Sequence, residues 1–145
     1  DANRLAAAAR IATDAGHPTQ PVRDMRRVFE DRGVLAVWMA TPDHWHTPGA
    51  ILAADAGKHV YVEKPCSHNV REGRLLADAA TRNRVVIQVG TQARSTPTVR
   101  AAMDRLRGGA IGDVLAAKAW NSQLRRNLGR VQASQPPEYL DYALW

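Results

Sequence analysis

Three short apolar runs, Val34 to Ala40 (VLAVWMA), His59 to Val62 (HVYV) and Val85 to Val89 (VVIQV), are separated by longer stretches whose apolar residues fall at helical spacing. That alternation constrains the fold more than any other feature. VLAVWMA is too short for a helix and lacks polar alternation, as expected of a parallel strand covered on both faces.

The intervening stretches carry their own start and stop signals. Ala2 to Ala15 is alanine-rich and closes at Gly16, a left-handed stop. Pro21 opens a second short helix with Val22, Met25, Val28 and Phe29 on one face and Gly33 as its end. Pro48 to Ala56 is helical, and its start lies as early as His44 if Asp43 or Thr47 serves as N-cap. Asn69 followed by Glu72 forms a capping-box-like start for a helix running to about Arg82, with Leu75, Leu76, Ala79 and Ala80 facing inward. Thr96-Pro97 opens a helix that Gly108-Gly109 ends, and Val114 to Trp120 reads as a final strand.

Strands alternating with helices imply crossover connections and a parallel, doubly wound α/β sheet. Such sheets carry their chemistry at the carboxyl ends of the strands. The segments there are Thr41-Pro42-Asp43-His44-Trp45-His46, Glu63-Lys64-Pro65-Cys66 and Gly90-Thr91-Gln92-Ala93-Arg94, and they are expected to converge on one edge.

Composition narrows the function classes. The 145 residues have the length of one domain, and 45% apolar with 23% charged residues is a globular balance. No run approaches the ~18 apolar residues of a membrane span, and Asp1-Ala2-Asn3-Arg4 lacks the order of a signal peptide. A single cysteine, Cys66, excludes an internal disulfide and any multi-cysteine metal site. The net charge of +6 raises the question of a nucleic-acid partner. Its arginines, however, are interspersed with acids, as in Arg23-Asp24-Met25-Arg26-Arg27, so the charge reads as solvated helix faces and no nucleic acid is expected.

Among the polar residues at the strand ends, Lys64 is the candidate for catalysis. Between Glu63 and Pro65 at a strand terminus, a lysine is held rigidly and partly desolvated, as proton handling requires; the competing reading is a surface lysine paired with Glu63. Asp43, His44 and His46 match no compact metal-ligand spacing, and no metal is expected. On this reading Pro42 turns the chain beneath a ligand, His46 starts the helix and offers one hydrogen bond, and Cys66 is a small packing residue. Gln92 and Arg94 suit either a polar ligand or a turn.

ATPDHWH (Ala40 to His46), GKHVYVEKPCSHNVREGR (Gly57 to Arg74), VGTQARS (Val89 to Ser95) and GAIGDVLAAKAWNSQ (Gly109 to Gln123) occur in this order along the chain. Their order and spacing resemble the glucose-fructose oxidoreductase, inositol dehydrogenase and rhizopine-catabolism (Gfo/Idh/MocA) family. The most specific element is EKP at the end of GKHVYV, preceded about twenty residues earlier by TP-x-x-x-H.

The resemblance implies an NAD- or NADP-dependent oxidoreductase that moves a hydride between the cofactor and a sugar, polyol or related carbohydrate. It implies that Lys64 is catalytic, and that Thr41, Pro42, His46, Glu63, Lys64 and Gln92 border the cofactor. It further implies the later half of a doubly wound parallel Rossmann sheet in residues 1–112, and the first strand of a second α+β domain in 113–145. The family's G-x-G-x-x-G turn is not among these residues, so an internal fragment is expected, with an open apolar edge at Val34 to Ala40 and marginal stability or self-association in isolation. Two departures are Asp43, where many members carry Asn, and Cys66, where many carry an aliphatic residue.

Two other functions fit the same residues. One branch of the family uses bound NAD for transient oxidation while cleaving a glycosidic bond, and a non-catalytic protein would bind nucleotide or sugar without turnover. A small-molecule carbohydrate partner, no membrane, a homo-oligomer when complete and a cytoplasmic location (periplasmic with an export signal) are the expectations by analogy.

Overall fold

A computed structural model describes residues 1–127 and 129–145. It divides into two compact units, Asp1–Thr91 and Gln92–Trp145.

In the first unit, α1 (Ala2–Asp14) is capped by Asp1, whose carboxylate accepts from the Arg4 N–H, and Gly16 beyond it has φ +80°. No residue of α1 is buried. The second helix, α2 (Arg26–Glu30), starts later than Pro21 would place it. Asp24 is the reason: its carboxylate accepts from the Arg26 N–H at 3.0 Å and from the Arg26 guanidinium at 2.6 Å, a local turn that competes with helix upstream. Then follow β1 (Ala36–Met39), α3 (His46–Asp55), β2 (His59–Glu63), α4 (Val70–Asn83) and β3 (Ile87–Gly90).

The three strands are parallel in the order β1-β2-β3, with Met39 opposite Val62, Val62 opposite Val89 and Glu63 opposite Gly90. Alternation of side chains across the pleat puts Val37, Met39, Val60, Val62, Ile87 and Val89 on one face. There they meet Phe29 of α2, Ala50 and Ala53 of α3 and Leu76 of α4, which together form the core. Gly49 lets α3 approach β1, since a Cβ there would overlap the Met39 methyl. The buried Lys58, just before β2, donates to the Asp31 carbonyl at 2.7 Å and ties the loop before β1 to that strand.

The other face departs from expectation. β1 was expected to be covered on both sides, yet among the described residues Trp38 is 72% exposed, and it meets Tyr61 of β2 edge-to-face at 5.3 Å. Helices α2, α3 and α4 all contribute to the same core cluster, so one face of the sheet is packed and its opposite is open.

The second unit contains a short 3-10 turn, Gln92–Ser95, and α5 (Pro97–Arg107), which ends at Gly108 before the left-handed Gly109. The strand expected at Val114 to Trp120 is not formed. Pairing is what makes a strand, and among the described residues the only bridge nearby joins Ala110 to Gly112; Leu115 and Trp120 are exposed. Among the described residues no helix is long and apolar enough to cross a membrane.

Candidate active site at the carboxyl edge of the sheet

Because the strands are parallel and in register, the residues following β1 and β2 emerge at one edge of the first unit. After β1 the chain passes Thr41 and Pro42, makes a 3-10 turn at Asp43–Trp45 closed by the Trp45 N–H on the Pro42 carbonyl, and enters α3 at His46. After β2 it passes Lys64, and the Lys64–Pro65 peptide is cis.

These two segments are bonded to each other. The Nδ1 of His46 lies 2.7 Å from the Pro65 carbonyl oxygen, and the Thr47 hydroxyl donates to the Cys66 carbonyl at 2.6 Å. A carbonyl oxygen can only accept, so Nδ1 carries the proton; in the neutral ring Nε2 is then an acceptor. His46 and Thr47 are each only 2% exposed, the most deeply buried polar residues among those described. In the sequence Thr47 is a plausible helix cap, and no local signal marks its bond across nineteen residues.

Two buried polar atoms in this region have no hydrogen-bond partner among the described residues: the hydroxyl of Thr41 and Nε2 of His46. Buried polar groups are almost always satisfied, so a pair of exceptions within one short segment marks a place suited to a polar ligand. The hydroxyl can donate or accept and the imidazole nitrogen accepts, so the pair suits a ligand that carries hydroxyl or amide groups.

Lys64 is exposed, and among the described residues no ion pair involves it. The backbone beside it is held by the bonds to Pro65 and Cys66. Glu63 is half-buried and Pro42 exposed. Gln92 opens the second unit with φ +24° and is exposed, while Arg94 lies in the same 3-10 turn. Of the three segments expected to converge, the bonds described join the first two. Cys66 is half-buried beside the core.

A family model described as an oxidoreductase family with an NAD-binding Rossmann fold matches residues 2–91. Levoglucosan dehydrogenase from Pseudarthrobacter phenanthrenivorans is 38% identical over 93 residues, which are 64% of this chain and 24% of that protein. An NAD(+)-dependent scyllo-inositol 2-dehydrogenase from Bacillus subtilis is 30% identical over 120 residues, 83% of this chain and 33% of that protein. A solved levoglucosan dehydrogenase in complex with NADH and levoglucosan superposes with a TM-score of 0.66 at 34% identity, covering 77% of this chain and 28% of that one. The chain thus spans about a quarter to a third of the length of these curated relatives.

Proposed function

The chain belongs to the Gfo/Idh/MocA oxidoreductase family with its NAD-binding Rossmann fold, and from that premise we propose that it serves hydride transfer between NAD or NADP and a carbon of a sugar, polyol or related carbohydrate. The observation that carries this reading is the placement of Lys64 beside a backbone segment that His46 and Thr47 hold at the carboxyl edge of a parallel sheet. The curated relatives named for levoglucosan and scyllo-inositol oxidation support the carbohydrate class.

When bound, the nicotinamide takes up or returns the hydride. Lys64 is the catalytic residue on this reading: Nζ holds the reacting hydroxyl by a hydrogen bond and takes its proton as the carbon is oxidised, becoming the ammonium that returns the proton in the reverse direction. Thr41 and His46 offer the cofactor a hydroxyl and an imidazole acceptor that are otherwise unsatisfied. Pro42, Glu63 and Gln92 complete the proposed cofactor border. Residues 1–112 belong to the cofactor domain and 113–145 open the substrate and oligomerisation domain of a cytoplasmic homo-oligomer.

The test is nicotinamide reduction by the full chain, with NAD and NADP against sugars, polyols and aryl glycosides, beside Lys64→Ala. The expected result is reduction that Lys64→Ala cuts to a small residual rate while still binding cofactor. Release of sugar from an aryl glycoside with no net reduction would replace the dehydrogenase by an NAD-dependent glycosidase. Cofactor binding without either activity would leave a binding protein.

A further inference from the structure

We propose that Thr47 is a positioning residue for Lys64, acting with His46 as a two-point clamp on the backbone that carries the lysine; the inference rests on the dehydrogenase reading above. Between the end of β2 at Glu63 and the start of α4 at Val70, the connection has no sheet partner among the described residues. Its consecutive carbonyls at Pro65 and Cys66 are instead taken by consecutive side chains, His46 Nδ1 at 2.7 Å and Thr47 Oγ1 at 2.6 Å. Both donors sit on the first turn of α3, a helix whose Ala50, Ala53 and Ala54 are fully buried. The far end of the connection is also held, because Asn69 accepts from the Glu72 N–H and Glu72 accepts from the His68 N–H.

This arrangement answers a mechanical problem. A lysine side chain is long and flexible, and Lys64 is exposed, so the placement of its root bears on where its ammonium acts. The backbone at that root adjoins the two clamped carbonyls. Displacing a catalytic group by about 1 Å costs on the order of 100-fold in rate. Thr47 reaches neither cofactor nor substrate on this view; it acts through Lys64.

The experiment compares Thr47→Val and Thr47→Ser in the full chain, each also combined with Lys64→Ala. Valine keeps the shape and removes the donor, whereas serine restores it. Thr47→Val is expected to lower kcat about 10- to 100-fold with the KM for cofactor little changed. Thr47→Ser is expected to stay near wild type, and Thr47→Val to add no loss on the Lys64→Ala background. Amide exchange at Cys66 to His68 is expected to quicken in Thr47→Val and recover in Thr47→Ser. If the valine variant does not fold, Thr47→Cys, with similar bulk and a weak donor, is measured in its place.

An active wild type matched by Thr47→Val, or a valine loss that persists in full without Lys64, overturns the clamp alone. Unchanged amide exchange in the valine variant also overturns it. A wild type without dehydrogenase activity overturns the functional reading and, with it, the assignment of Lys64.

Discussion

The ring of Tyr61 lies across Gly90, so closely that a Cβ built on the glycine would stand 2.7 Å from the phenolic oxygen and 2.9 Å from a ring carbon. Gly90 ends β3 opposite Glu63, the residue before Lys64, and Tyr61 also meets the ring of Trp38 on β1. A side chain at position 90 would have to displace an aromatic ring that is itself packed. Gly90→Ala is therefore expected to destabilise the protein by about 1–3 kcal/mol, read as a lower urea midpoint. On a Tyr61→Ala background the same substitution should cost little, because the obstructing ring is gone. Equal costs on both backgrounds would show that the contact with Tyr61 is not what requires glycine.

The open edge of the sheet gives a second expectation. Among the described residues β1 pairs with β2 alone, and Leu35 and Trp38 are 74% and 72% exposed along it. An unpaired, apolar edge strand is a template for pairing with another chain. A polypeptide of residues 1–145 is expected to self-associate as its concentration rises, and Leu35→Lys combined with Trp38→Lys to reduce that association. Sedimentation of both forms over a concentration series measures it. A wild-type polypeptide that stays monomeric throughout would remove the edge from consideration.

What was legible in the sequence was what depends on neighbours along the chain. The strand cores were visible as uninterrupted apolar runs, and Asn69 with Glu72 announced the start of α4, where the cap hydrogen bond forms at 2.9 Å. Asp24 hid the true start of α2, because a carboxylate two residues before an arginine makes a turn as readily as it begins a helix. The end of α4 carried no glycine to mark it: Arg84 takes the left-handed conformation itself, at φ +54°. Val114 to Trp120 has the composition of a strand, but composition supplies no pairing partner. At the site, EKP pointed to Lys64, whereas the role of Thr47 depends on a carbonyl nineteen residues away, and no spacing rule connects a helix's second residue to a loop that far along.

A final expectation concerns acid. Asp55, the last residue of α3, accepts from the Arg82 guanidinium at 2.7 Å and the Asn83 amide at 2.6 Å, both at the end of α4. The hydrogen bond from Arg82 and then that from Asn83 hold its carboxyl below the ordinary carboxylate value. A depressed carboxyl binds fewer protons folded than unfolded, so its contribution is fully present above the unfolded pKa of about 4 and is lost as pH falls through the lower, folded value. The side chains of Asp55 and Arg82 are 46% and 59% exposed, and solvent screening limits the pair to at most about 1 kcal/mol. Asp55→Asn is expected to lower the urea midpoint modestly at pH 7 and to approach the wild type as the pH drops below about 4. Added salt should narrow the difference at pH 7. Some acid sensitivity will remain in the variant, because the Arg26 hydrogen bonds hold the Asp24 carboxyl down to about 2. Midpoints that keep a constant separation from pH 7 down to pH 2 would show that Asp55 contributes through its shape and not through its charge.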